Sequence, residues 1–154
     1  MEEKNKAWKT VSSKYLFRRP WLTVRCEDML LPNGNHIPEY YILEYPDWVN
    51  TIAITKDGKF VFVRQYRPGL GRTSYELCAG VCDKEDASPL VSAQRELWEE
   101  TGYGKGNWQE YMVISANPST HTNLTHCFLA TDVEPIDHQH LEDTEDLSVH
   151  PVSY

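Results

Sequence analysis

The sequence predicts an α+β fold. Short β-branched and aromatic runs recur along most of the chain, turn-forming dipeptides separate several of them, and the segment from Ser88 to Gly102 carries both the periodicity and the end signals of a helix. Many strands around one clear helix leave α+β as the class.

The elements follow in order. "WLTVRCEDMLL" and "PEYYILEY" read as strands joined by Pro32-Asn33-Gly34-Asn35, a hairpin turn. "VNTIAIT" and "KFVFVRQY", joined across Asp57-Gly58, give a second hairpin whose apolar content suits a buried sheet. "TSYELCAG" is a shorter strand ending at Gly80, and a polar loop follows it. Ser88 is a good helix N-cap, Pro89 suits the first helical position and Gly102 is the stop, so the helix is expected to run to about Thr101. Further strands are expected at "WQEYMVIS", "THCFLATDV" and "DLSVHPVS", with the acidic stretch "DHQHLEDTED" between the last two.

A chain of 154 residues is most simply one domain with a real core. The net charge of −8 argues against nucleic acid or an anionic membrane as the main partner, since both reward a basic face. A small anionic ligand remains open if arginines or metal ions neutralise it locally. The first ten residues show no secretion pattern and no apolar run approaches a membrane span, so a cytoplasmic location is expected. The four cysteines (Cys26, Cys78, Cys82 and Cys127) are then expected to be reduced. Cys78 and Cys82 lack a second closely spaced pair, although His121 and His126 lie downstream, and read as small buried side chains rather than zinc ligands.

"AQRELWEETGY" is the most informative segment. At about 100° per residue, Glu96, Glu99 and Glu100 share roughly a third of the helix circumference. Leu90, Val91, Ala93, Leu97 and Trp98 take most of the opposite side, expected to pack on the sheet. Arg95 stands four residues before Glu99, within reach of an ion pair. A solvated charged face is the ordinary reading of such a helix. Three clustered carboxylates repel, however, and bridging cations relieve that cost. Carboxylate ligation without His or Cys suits Mg²⁺ or Mn²⁺.

The stretch from Gly80 to Tyr103 resembles the signature box of Nudix hydrolases: a glycine, five residues, a glutamate, seven residues, then Arg-Glu-apolar-x-Glu-Glu-x-Gly-apolar. Arg95-Glu96-Leu97-Trp98-Glu99-Glu100-Thr101-Gly102-Tyr103 fits the second half at every fixed position. The span from Gly80 to Arg95 is one residue longer than the pattern, and Asp86, preceded by Glu85, stands where the first glutamate is expected. "FVFVRQYRPGLGRTSYELCAG" is similar to the ADP-ribose pyrophosphatase branch, with Gln65-Tyr66-Arg67 intact and Cys78 in place of a proline. Pro118, fifteen residues after Tyr103, and the tail "EDTEDLSVHPVS" extend the resemblance.

The resemblance implies a Nudix-type α/β/α sandwich with a mixed central sheet and an N-terminal β-hairpin extension, with the C-terminal helix of the family absent. It implies an extension over residues 1–45 that helps dimerisation and a hydrolase domain over 46–154. It also implies Mg²⁺-dependent hydrolysis of a nucleoside diphosphate linked to a second moiety, most simply ADP-ribose, by a cytoplasmic homodimer. GDP-mannose, a dinucleotide, an oxidised nucleotide, or a non-catalytic nucleotide-binding role are the alternatives. By the same resemblance, the metal ligands are Glu96, Glu100, Glu99 and the Ala79 carbonyl beside Gly80. Arg95, with support from Glu76, orients a glutamate. Arg67 contacts phosphate, Gly80 and Asn123 belong to the substrate site, and Glu145 is the general base, with Asp143 and Glu142 behind it. His121 stands where a substrate-stacking residue is found, and His138 and His140 receive no role.

Overall fold

The computed structural model describes residues 6–153. The chain divides into two compact units: the residues up to Tyr45 together with Ser115–Asn123, and Pro46–Ile114 together with Leu124–Tyr154.

The first unit is an antiparallel sheet of β1 (Lys9–Arg19), β2 (Leu22–Leu30) and β3 (His36–Glu44) in that order. The Pro32–Asn35 turn joins β2 to β3 as expected, with Leu31 N–H donating to Asn35 O over 2.9 Å. β1 is not among the strands expected from the sequence. Every residue of this strand is exposed, so no face imposes alternation on its side chains. Its ladder to β2 turns at Pro20-Trp21, between paired Arg19 and Leu22. Glu27 fastens it from β2: this buried carboxylate accepts from Ser13 Oγ at 3.3 Å, Thr10 Oγ1 at 3.2 Å and Arg25 Nε at 2.7 Å. Beyond β3, Leu43 N–H donates to Thr120 O over 2.8 Å and Thr122 N–H to Leu43 O over 3.1 Å. These two bonds tie the excursion at Ser115–Asn123 to the end of β3.

The second unit holds β4 (Trp48–Thr55), β5 (Lys59–Arg67), β6 (Arg72–Val81), α1 (Pro89–Thr101), β7 (Tyr103–Gly104), β8 (Asn107–Ile114), β9 (Thr125–Pro135) and β10 (Leu147–Ser153). The sheet order is β10-β5-β6-β4-β9-β7, with β8 also on β9. It is mixed, because β4 runs parallel to β9 while the other pairs are antiparallel. The sheet also splays. β4 pairs with β6 from Trp48 to Thr51, then with β5 at Ala53 and Ile54. β6 thus leaves β5 after Leu77 and pairs with β4 through Cys78, Ala79, Gly80 and Val81. Buried positions alternate strictly along β4, where Val49, Thr51, Ala53 and Thr55 point inward and Val49 and Ala53 join the core. Ala53, Val61, Cys78, Leu97, Ala130 and Val133 form the main cluster; Val49, Ala93 and Phe128 form a second. All four cysteines are free thiols, and Cys78 is a core residue.

α1 has the ends its sequence announces. Ser88 Oγ accepts from Val91 N–H at 3.4 Å, and Gly102 adopts φ 71° while donating to Trp98 O over 2.8 Å. Its faces differ from the expectation. The fully buried stripe is Ser92, Ala93, Leu97, Glu100 and Thr101, while Leu90 and Val91 are exposed. The sheet-facing side therefore includes a glutamate. The apolar pattern located the helix correctly but split its circumference in the wrong place. No helix among the described residues is long and apolar enough to cross a membrane.

Candidate active site

The site is built where α1 crosses the end of β6. A side chain on Gly80 would collide with Glu96, because an ideal Cβ there lies 2.0 Å from Glu96 Cδ. The missing Cβ is thus the berth for a carboxylate. Glu96 Oε1 takes the Val81 N–H at 3.3 Å, which fastens helix to strand through a functional group.

Arg95 organises the cluster. Nη1 donates to Glu96 Oε1 at 3.0 Å and Glu99 Oε2 at 2.9 Å. Nη2 reaches Val81 O at 3.0 Å and Asp86 Oδ2 at 3.0 Å, Nε reaches Asp86 Oδ2 at 3.1 Å, and Asp83 stands 3.2 Å from Nη2. Burial works against its charge, yet Asp86, Glu96 and Glu99 more than offset it and hold the guanidinium pKa well above the usual value. Glu76, expected to support Arg95, instead accepts from Arg67 Nε at 2.9 Å and Nη2 at 2.7 Å, and from Ser74 and Gln65. Asp86 rather than the exposed Glu85 occupies the place of the first box glutamate. Asp83 was missed. Its signal is the longer loop, which folds into a turn with Asp86 N–H on Asp83 O at 3.2 Å and so offers Arg95 two aspartates.

Glu100 is 5% exposed, and its Oε2 has no hydrogen-bond partner. Burial pushes its pKa up to about 7; the charges of Glu96 and Glu145 add to the rise, while bonds from the Cys78 thiol and the Ala79 backbone oppose it. Burial also raises Glu96, with Arg95 opposing and Glu99 adding. An unpartnered buried carboxylate oxygen within an all-oxygen donor set fits a hard divalent cation. Glu96, Glu99 and Glu100, with the Ala79 backbone at their side, are the residues that would hold one.

The remaining expected residues are placed as follows. Arg67 ends β5, bound to Glu76; those bonds are the first cause of its raised pKa, with the charge of Glu100 a smaller one. Glu145 is exposed on the acidic segment between β9 and β10, its Oε2 accepting from Glu142 N–H at 2.9 Å, and its charge reaches Glu100. Glu142 and Asp143 are exposed on the same segment. Asn123 is buried in the other unit, with an unpartnered Oδ1. His121 lies in that unit too, its ring 5.2 Å from Tyr45.

The description "NUDIX domain" is matched by residues 45–153. The chain belongs to the Nudix family of pyrophosphohydrolases. Residues 8–43 match the description "Nucleoside diphosphate sugar hydrolase N-terminal domain". Among curated relatives, the ADP-ribose pyrophosphatase of Bacillus subtilis (strain 168) is 32% identical over 84% of this chain and 69% of its own length. The methanol dehydrogenase activator of Bacillus methanolicus is 33% identical over 79% of this chain and 65% of its own length. The ADP-ribose pyrophosphatase of Mycobacterium tuberculosis (strain ATCC 25618 / H37Rv) is 28% identical over 84% of this chain and 62% of its own length. The chain thus spans about two thirds of these relatives. A crystal structure of an ADP compounds hydrolase superposes with a TM-score of 0.81 at 22% identity, covering 95% of this chain and 78% of the other, a likeness of fold. Nudix enzymes generally use divalent metal ions, which agrees with the donor set.

Glu100 makes the cation's contribution pH-dependent. Its folded pKa lies above the unfolded value, so without metal its stabilising effect is complete below about pH 4.5 and is lost as pH rises through about 7. A divalent cation at this cluster would bind the ionised form, so Mg²⁺ is expected to raise the melting temperature more at pH 8 than at pH 6. Glu100→Gln is expected to raise the metal-free melting temperature at pH 8 and to remove most of the Mg²⁺ effect. Equal Mg²⁺ shifts at both pH values in the parent protein would contradict this assignment.

Proposed function

We propose that the protein hydrolyses the diphosphate linkage of a nucleoside diphosphate sugar with Mg²⁺ or Mn²⁺, and that ADP-ribose is its best substrate, giving AMP and ribose 5-phosphate. The observation that carries this reading is Glu100, a buried carboxylate with an open oxygen, set beside Glu96 and the Arg95-anchored Glu99. Two of the relatives named above are ADP-ribose pyrophosphatases, and the N-terminal strands match a nucleoside diphosphate sugar hydrolase domain, which supports the substrate class.

Divalent ions supply charge neutralisation on the diphosphate and a more acidic water. The chain's own residues do the rest. Glu96, Glu99, Glu100 and the Ala79 carbonyl form the ligand set. Arg95 fixes Glu96 and Glu99 so that they need no reorganisation when substrate arrives. Arg67 has Nε and Nη2 committed to Glu76, which leaves Nη1 for a phosphate oxygen. Gly80, whose missing side chain leaves room for Glu96, borders the substrate. Glu145 takes the proton of the attacking water as its oxygen bonds to phosphorus and the bond to the bridging oxygen breaks; both products leave as monophosphates. To act as base, Glu145 gives up its bond from Glu142 N–H, a motion its exposed segment allows.

The enzyme is proposed to work in the cytoplasm, where its free thiols persist. It is also proposed to be a homodimer through the N-terminal strands, where Val11, Tyr15, Leu16, Phe17 and Trp21 are exposed, the last at 84%.

A panel of ADP-ribose, other nucleoside diphosphate sugars and dinucleotides with Mg²⁺ is expected to release monophosphate fastest from ADP-ribose. Glu145→Gln is expected to lower kcat by about 10²–10⁴-fold with little change in KM. If GDP-mannose is cleaved and ADP-ribose is inert, the substrate assignment fails. If nothing turns over, and Glu100→Gln alters neither turnover nor nucleotide binding, the enzyme reading fails. Light scattering is expected to give twice the monomer mass, and Phe17→Asp with Trp21→Asp to return the monomer; a monomeric parent protein would refute the dimer.

A further inference from the structure

The segment that follows β9 folds back over the C-terminal end of α1. Ile136 and Asp137 N–H both donate to Gly102 O, at 2.9 and 3.1 Å, and His140 N–H donates to Glu99 O at 2.8 Å. Gln139 Nε2 adds a bond to Glu100 O at 2.7 Å. The packing is close enough that a Cβ on Gly102 would lie 2.3 Å from Asp137 O. This clasp presents Asp137, His138 and His140 together, with one ligand-capable atom from each inside a 4.8 Å group. Asp137 Oδ1 is 2.7 Å from His138 Nδ1, and Oδ2 is 3.0 Å from His140 Nε2.

Nitrogen and oxygen ligands about 2.0–2.2 Å from one ion stand roughly 3–3.5 Å apart, so small side-chain shifts convert this arrangement into a coordination set. Two imidazoles and one carboxylate select a borderline first-row cation such as Zn²⁺ or Ni²⁺ over Mg²⁺. Location reinforces the choice. The helix C-terminus is the negative end of its dipole, and the last turn of α1 has no basic residue. The His140 ring also lies 4.2 Å from that of Trp98, which holds it in place and provides a reporter.

We propose that Asp137, His138 and His140 form a second cation site, specific for Zn²⁺- or Ni²⁺-like ions and separate from the glutamate cluster. Both imidazoles are solvent-accessible, so an ion can enter from solution, and water completes its shell. An ion there fastens the clasp to the turn of α1 that bears Glu99 and Glu100.

The test is Ni²⁺ titration of the tag-free full chain in saturating Mg²⁺, read by calorimetry and tryptophan fluorescence. One Ni²⁺ is expected to bind, with quenching of the emission. His138→Gln, which leaves the Trp98 contact intact, is expected to weaken binding at least tenfold, and Asp137→Asn to weaken it as well. Circular dichroism checks that both variants keep the fold. Absence of Ni²⁺ binding once Mg²⁺ is saturating, or binding unchanged in both variants, would overturn the site.

Discussion

The arginine at position 95 is the constraint on which the site depends. One guanidinium touches two helix glutamates, two loop aspartates and the carbonyl of Val81, so it joins α1, the β6–α1 loop and the end of β6 through a single group. Its partners are partly withdrawn from water, where charge pairing is stronger than at an open surface. Without it, four carboxylates would crowd one corner of the molecule without the guanidinium that pairs with all of them. With it, Glu96 and Glu99 are held, and Glu100 is left beneath them as the group with an open oxygen. The loop ahead of the helix shares in this arrangement, because its turn from Asp83 to Asp86 delivers both aspartates to Arg95.

The second constraint is absence of bulk. Gly80 has no side chain where Glu96 must lie. A glutamate on the sheet-facing side of a helix costs stability in an apolar core. Here it faces strand backbone and a thiol instead, and its raised pKa records the cost that remains. In the proposed metal site, a cation bound by Glu100 would offset the free energy lost in burying it, which would couple folding to ligand binding at one residue.

Much of this was legible in the sequence. The helix announced both its ends because Ser88, Pro89 and Gly102 act locally, and the buried strands announced themselves through alternation. β1 did not, because an exposed strand has no inward face to pattern. The helix faces were misread for a related reason: hydrophobicity assigns a glutamate to solvent, and nothing in periodicity says that Glu100 will be buried against the Cys78 thiol and the Ala79 backbone of β6. Leu90 and Val91 were placed inward by the same rule and lie outside. Arg95 and its glutamates were found from spacing and family pattern. The partner of Glu76 was not, because a cross-strand neighbour depends on the register of β5 against β6. Residues 115–123 illustrate the same limit, since their ties to β3 span far more sequence than any local signal reaches.

The measurement that tests the account most directly is Mn²⁺ binding, followed by electron paramagnetic resonance, in the parent protein and in Arg95→Gln. If the guanidinium organises the carboxylates, the variant keeps its circular dichroism spectrum but binds Mn²⁺ at least tenfold more weakly. Unchanged Mn²⁺ affinity in a folded Arg95→Gln protein would contradict the account, because the ligand set would then assemble without the group held here to assemble it.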